Sequence, residues 1–387
     1  MKLNHWGIVT LTALLPTVGI LAEPAQAGMT VYEEGEKYLK IGGRIQLQYH
    51  YEDPDGGEKT DELFFRRLRP YIEGSLYKDW KGKIQWDMGK AGDSNEIAVK
   101  DAYLQYMGFS GLKLTVGNAK IPFSREFLTS SKKQQLVERT FVGDHNYGTP
   151  DRSVGIHVTG HNESKNLTFG ASIASASIDP DNKKLDFDSP INKNSDFNEG
   201  WIYGGRIDFH PFGKLKFSQG DFKREMKATI GLAAFQWSND DDVSGVDDAG
   251  NDPAKKADVD KVTGYEISAA FRAAGLSIDA QYNLFDSELV QPGITSGLYK
   301  NSGTDLENWA VEGGYMVLPS RLEIVAGYQW QDADNYDEEW TRISFGANWF
   351  LHKHDIKLQA TYRISDNKDG QDGKDEDELF VQAQYVF

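Results

Sequence analysis

Apolar side chains fall on every second position in segment after segment of this chain. That period commits each segment to an extended strand with one apolar and one polar face. Leu39, Ile41, Gly43, Ile45, Leu47, Tyr49 and Tyr51 alternate with Lys40, Arg44, Gln46, Gln48 and His50. The pattern returns at Leu276–Leu284, Trp309–Val317, Leu322–Trp330 and Ile356–Ile364, where the intervening positions carry Gln, Asn, Asp, Glu, Arg or Gly. Sixteen such segments can be counted, at 39–52, 63–77, 81–90, 97–107, 112–119, 152–160, 166–178, 201–210, 226–238, 261–272, 275–285, 307–317, 320–331, 339–350, 355–365 and 377–387. Nothing after the first residues approaches 18 consecutive apolar residues, so a helical membrane protein is excluded. A membrane barrel is not, because lipid-facing and lumen-facing residues alternate and keep its mean hydropathy low, here −0.56.

The connections separate a barrel from a soluble sandwich. Gly108–Gly111, His161–Lys165, Ala273-Ala274, Leu318-Pro319 and Leu351–His354 are tight, and each follows an even-numbered segment. Most odd-numbered segments lead into longer polar stretches: 53–62, 120–151, 179–200, 239–260, 286–306 and 366–376. Tight turns at one end and long loops at the other mark outer-membrane barrels, with the turns in the periplasm. The fold expected is all-β, a 16-stranded antiparallel transmembrane β-barrel. Trp80, Trp201, Trp237, Trp330, Trp340 and Trp349 are expected in its interfacial girdles.

The ends of the chain agree. Lys2, the apolar stretch Trp6–Leu21 and the small-x-small site Ala25-Gln26-Ala27 read as a signal peptide over 1–27, leaving 360 residues. Residues 28–38 then form an N-terminal periplasmic segment and 39–387 the barrel. The final segment ends on Phe387, a terminal aromatic expected to be read by the outer-membrane assembly machinery. The chain has no cysteine, which removes disulfides, thiolate metal sites and thiol nucleophiles. A net charge of −17 without basic runs argues against nucleic acid.

Three stretches resemble the phosphate-selective porin O and P family. They are Phe64-Phe65-Arg66-Arg67-Leu68-Arg69-Pro70-Tyr71-Ile72-Glu73-Gly74 with Lys78-Asp79-Trp80, Gly117-Asn118-Ala119-Lys120-Ile121-Pro122-Phe123-Ser124 with Glu138-Arg139, and Gly346-Ala347-Asn348-Trp349-Phe350. The resemblance implies a homotrimeric porin for passive diffusion of small hydrophilic solutes, anions such as phosphate among them. It also implies a third extracellular loop folded into the lumen. The longest loop counted above, 120–151, is the third. Expected partners are the lipid bilayer and lipopolysaccharide. The alternatives are a non-selective or cation-preferring porin, or a closed barrel with a binding or scaffolding role.

Anion contacts in such a pore are inward cations near the constriction. Arg67 and Arg69 have lumen parity on the second segment, whereas Arg66 has lipid parity unless a bulge turns it. Lys120, Arg125, Lys132, Lys133 and Arg139 lie on the long third loop. Arg125 or its neighbouring lysines are expected within about 10 Å of Arg67 and Arg69, because the loop is longer than closure outside the barrel needs and its cations would have little use in open solvent. Arg44, Lys83, Arg206, Arg272, Arg321, Arg342, Lys357 and Arg363 are further inward cations, set against Glu73, Asp87, Asp101, Asp208, Glu266, Asp279, Glu312 and Glu323. The outer loops are acidic at Asp240–Asp242, Asp247-Asp248 and Asp366–Glu378, a departure from the basic vestibule of family members that take phosphate. Neither a cofactor nor a metal is expected. Asp366–Asp375 only loosely resembles a calcium loop, and His352 and His354 suit a hydrophilic turn. His157 beside Ser153 lacks a third member, so no enzyme is expected.

Overall fold

The computed structural model describes residues 28–89, 97–179, 181–188, 199–239 and 258–387. The signal-peptide reading at 1–27 and the acidic runs at Asp240–Asp242 and Asp247-Asp248 lie outside the described residues.

The chain is all-β, with one large antiparallel sheet. Its strands are β1 (Met29–Glu34), β2 (Lys37–Gly42), β3 (Arg44–Pro54), β4 (Thr60–Leu68), β5 (Tyr71–Tyr77), β6 (Trp80–Asp87), β7 (Ala98–Tyr106), β8 (Leu112–Lys120), β9 (Arg152–His161) and β10 (Leu167–Asp179). They continue with β11 (Asp186–Asp188), β12 (Glu199–Phe209), β13 (Lys227–Asn239), β14 (Val259–Ala273), β15 (Leu276–Leu289), β16 (Gly303–Leu318), β17 (Leu322–Asp332), β18 (Trp340–His352), β19 (Ile356–Asp366) and β20 (Glu376–Val386).

Sixteen strands were expected and the described residues form twenty. Two of the extra breaks have local causes. Gly43 separates β2 from β3, and Arg69-Pro70 separates β4 from β5, where proline has no N–H for the ladder. The other two additions are β1, which pairs with β2, and the three-residue β11, which pairs with β10. From β12 to β20 each strand pairs with the next in sequence, and β20 also pairs with β3 from Glu376↔Pro54 to Val386↔Arg44.

Alternation sorts the faces as the period dictates. Leu47, Ile278, Val311, Ile324 and Leu358 are all exposed, while Gln48, Gln281, Asn308, Gln329 and Gln359 on the other face are buried. A dry core under the apolar face would have reversed that order. Trp80, Trp201 and Trp349 are exposed as a girdle requires, but Trp237 and Trp340 are buried. Their indole N–H groups donate to the Ala176 carbonyl and the Ser365 hydroxyl, both at 2.8 Å. These two share the parity of the polar face, which proximity to a strand end does not reveal. Arg321, expected inward, sits exposed in the turn before β17.

The five tight connections hold, but the sorting of short and long connections has an exception that they did not cover. Residues 210–226, between β12 and β13, follow an even-numbered segment and run long. Gln219 in this stretch hydrogen-bonds the Lys133 carbonyl through its N–H, and its side chain accepts from the Gln135 N–H at 2.7 Å.

Candidate functional site

Residues 121–151 carry the densest polar network among the described residues. Gly117 precedes them with φ +126°, and a Cβ there would sit 2.3 Å from the Ala102 carbonyl oxygen, so this glycine of the second motif admits no side chain. A four-residue helix, α1 (Arg125–Leu128), is capped by Ser124, whose hydroxyl accepts from the Phe127 N–H at 3.1 Å and donates to the Val142 carbonyl at 2.6 Å. The rest of the stretch is irregular, and a buried irregular backbone needs partners for its N–H and C=O groups. Side chains on the polar face supply them. The amides of Gln281 and Gln329 accept from Glu126 N and Phe141 N, Thr361 accepts from Val137 N, and Asn348, Gln359 and Gln384 donate to the carbonyls of Gln135, Gln134 and Lys132. These positions hold amides because an amide both donates and accepts without the desolvation cost of a charge.

The second motif meets the first here. Arg66 donates to both Glu138 oxygens, at 2.6 and 3.1 Å, with Gln48 donating to the same carboxylate at 3.1 Å. The register slips between Gln46↔Arg67 and Leu47↔Phe65, which turns Arg66 off the parity its number implies.

The seven predicted cations do not gather at one point. Arg69, Lys120, Lys132 and Arg139 line one cavity of about 520 Å³, together with Arg44, Lys83 and Arg152. Glu73 and Asp101 are the carboxylates on its wall, so seven cations face two acids. Arg69 is committed to Asp87 at 2.6 Å, and Lys83 and Arg152 each hold Asp101 at 2.6 Å. The other four make no ion pair with any described residue. Arg44 bonds the Ser131 hydroxyl at 2.8 Å with its Nε buried and unpartnered, and Lys120 donates to the Phe127 carbonyl. Arg139 donates to the Phe127 and Thr129 carbonyls at 3.3 and 2.9 Å. Arg67 is buried nearby on Gln46 at 3.3 Å.

Arg125 and Lys133 stand apart. Arg125 donates to Asp279 at 2.9 Å, and Arg206 is held between Asp208 and Glu266, so cations on the β12–β15 wall are cancelled by acids. Lys133 lies near Lys216 and Asp355. A second cavity of about 940 Å³ shares Lys120, Leu128 and Thr159 with the first. It is lined by Lys113, Lys165, Arg206, Lys214 and Lys216 against Asp208. Burial, then the charges of Arg44 and Lys133, push the Lys132 ammonium down to about 8. Burial pushes the Glu126 carboxyl up, against the charge of Arg139 and the hydrogen bonds it accepts from Thr140.

Alternation could not have found Arg152, which shares the parity of exposed Val154 and Ile156 but heads its strand and turns onto Asp101. The lysines at 214 and 216 sit in a turn where no periodicity applies. In the Asp366–Asp375 loop, the Lys374 ammonium holds Asp369 at 2.7 Å and Lys368 holds the adjoining Glu376 at 2.7 Å. His354 bonds the Gln219 carbonyl and His352 faces Asp355, so the two do not converge. His157 bonds the Ser172 hydroxyl at 2.7 Å, not the Ser153 hydroxyl.

An apolar exposed face, a polar face wrapped round a buried irregular stretch, and water-accessible cavities lined by charge define an outer-membrane porin. The resemblance holds for the first two of the three stretches: the model of the phosphate-selective porin O and P family matches residues 39–213, and Gly346–Phe350 lies outside that match. Porin O of Pseudomonas aeruginosa is 24% identical over 90% of this chain and 88% of its own length. Among solved structures, the anion-selective porin from Comamonas acidovorans superposes with a TM-score of 0.60 at 12% identity, covering 91% of this chain and 100% of that one. The trimer form of OmpT of Vibrio cholerae gives 0.57 at 14% identity, covering 90% and 99%.

Proposed function

We propose that this porin passes small anions, phosphate among them, through a pore narrowed by its third extracellular loop. Joining β2 to β3 and β4 to β5, and leaving β1 and β11 outside, reduces the twenty strands to sixteen staves, and the β20–β3 pairing supports reading them as a closed barrel. On this reading the polar face is the lumen wall and residues 121–151 stand inside it. The signal peptide at 1–27 is removed, 28–38 lies at the periplasmic end, and 39–387 is the barrel. The exposed apolar band faces lipid beneath lipopolysaccharide, the assembly machinery reads the last strand, and the working unit is a homotrimer.

The observation that carries the selectivity is that four of the cations around the 520 Å³ cavity, Arg44, Lys120, Lys132 and Arg139, make no ion pair with any described residue. Of the seven residues singled out from the sequence, Lys120, Lys132 and Arg139 are assigned to anion contact, with Arg69 held on Asp87. Arg67 supports them through Gln46, Arg125 anchors the loop on Asp279, and Lys133 lies to one side. The relatives' names agree in direction, one of them being an anion-selective porin. The test is the reversal potential across a planar bilayer under a salt gradient, in potassium chloride and then in potassium phosphate. Anion selectivity in chloride, and occlusion of chloride current by millimolar phosphate, is expected. Cation selectivity in both salts would transfer control to the acidic outer loops.

A pH dependence follows from Lys132. Its ammonium is charged below about 8 and neutral above, so anion preference should be full at pH 6 and weaken between pH 7 and 9. The Lys132→Gln variant should show no such step in its reversal potential.

A further inference from the structure

We propose that His50, Glu52 and Glu378 form a binding site for a divalent transition-metal cation, with Zn²⁺ the best-matched ion. His50 and Glu52 stand two residues apart on β3 and therefore share its face. Glu378 on β20 is the direct cross-strand partner of Glu52, which brings its carboxylate to the same face. His50 Nε2 lies 3.1 Å from Glu378 Oε1 and 3.7 Å from Glu52 Oε1, and one donor atom from each of the three falls within 4.8 Å of the others. Nitrogen and oxygen donors sit about 2.0–2.2 Å from zinc, which sets the edge of a tetrahedral site at roughly 3.3–3.6 Å. Two edges are already near that length. The third closes by rotation of Glu52, whose half-exposed side chain would give up the one hydrogen bond it takes from the Thr60 hydroxyl.

The imidazole is held in plane for the task. Its ring stacks on Phe380 at 4.3 Å and 10°, so Nε2 points between the carboxylates without further ordering. Glu62 on β4 is the cross-strand partner of His50 from the other side, so its carboxylate shares the face at about 5 Å between Cβ atoms and is available as a fourth oxygen donor. One resident cation already engages the cluster: Arg363 pairs with Glu378 Oε2 at 3.4 Å and also bonds the Arg139 carbonyl, which leaves Oε1, the oxygen facing His50, for the ion, while Glu52 takes a Thr60 hydroxyl at 3.1 Å. An imidazole with carboxylates favours zinc, nickel or copper over calcium or magnesium, which prefer all-oxygen shells. With the ion bound, two carboxylates beside the basic passage would be neutralised. That consequence rests on the pore reading above, whereas the binding rests only on register and donor geometry.

The experiment is calorimetric titration of the full chain in detergent with zinc chloride alone, then with calcium chloride, alongside His50→Ala and Glu378→Gln. Heat-modifiable mobility on unboiled gels checks that each variant is folded. Saturable binding of one zinc per chain, no calcium heat at the same concentrations, and affinity at least about tenfold weaker in both folded variants is expected. No saturable zinc binding by the native chain overturns the proposal, as does binding unchanged in both variants. If a variant fails to fold, Glu52→Gln takes its place, and undiminished affinity there has the same force. A chain that binds zinc but carries no anion preference leaves this site standing and removes the proposed selectivity instead.

Discussion

Replacing Arg44 and Lys132 together by alanine should lower the anion-over-cation permeability ratio about tenfold and carry the reversal potential toward cation selectivity. Both side chains line the 520 Å³ cavity, and neither is ion-paired among the described residues. Arg44 spends one nitrogen on the serines at 130 and 131 and leaves its Nε buried and unpartnered, and the Lys132 ammonium has no hydrogen-bond partner among the described residues. Uncommitted donors can turn to a passing anion without breaking an existing bond. A hydrogen bond to a charged group contributes about 1.5–3 kcal/mol. Removing one such hydrogen bond beside the cavity already matches a tenfold change, since a decade corresponds to about 1.4 kcal/mol. With the two gone, Glu73 and Asp101 weigh more heavily against the remaining cations. The measurement is bi-ionic potential in a planar bilayer. A folded, conducting double variant with an unchanged reversal potential would mean that selectivity is set elsewhere.

Arg206→Ala should destabilise the fold by about 3–5 kcal/mol, the usual cost of removing one partner from a buried ion pair. The guanidinium is buried and donates to both Asp208 oxygens at 2.8–3.0 Å, to both Glu266 oxygens at 2.7 and 2.8 Å, and to the Ser268 hydroxyl at 2.9 Å. Alanine would strand two buried carboxylates on separate strands. Lysine in the same place should recover only part of the stability, because one ammonium cannot reproduce a fork bonded to two carboxylates. Denaturant unfolding in detergent, followed by gel mobility, reads the difference. A midpoint within experimental error of the native one would show that water or neighbouring cations satisfy the acids.

Arg44 and Arg206 have the same parity, the same charge and the same expected place on the wall. In sequence they are indistinguishable. What separates them is the company each keeps: Arg206 meets Asp208 and Glu266, while Arg44 meets two serines of a loop 86 and 87 residues away. Arg66 makes the same point from the other direction, since one register slip in β4 carries it to Glu138 and makes it the clamp between the first two of the three resembling stretches.

The period-two pattern determined the class of fold, the face each strand turns outward and, through the sorted connections, the two ends of the sheet. It could do so because a strand's side-chain period is a local property, fixed by the backbone of that strand alone. The same locality explains why Leu47 and Ile324 were assigned correctly and why Trp237, judged by nearness to a strand end instead of by parity, was not. The tertiary structure alone decided which cations are free. It also decided that residues 210–226 reach Gln135 and Lys133, and that Arg152 faces Asp101. Charge cancellation depends on partners brought together across hundreds of residues, and irregular segments carry no period to reveal where their side chains point.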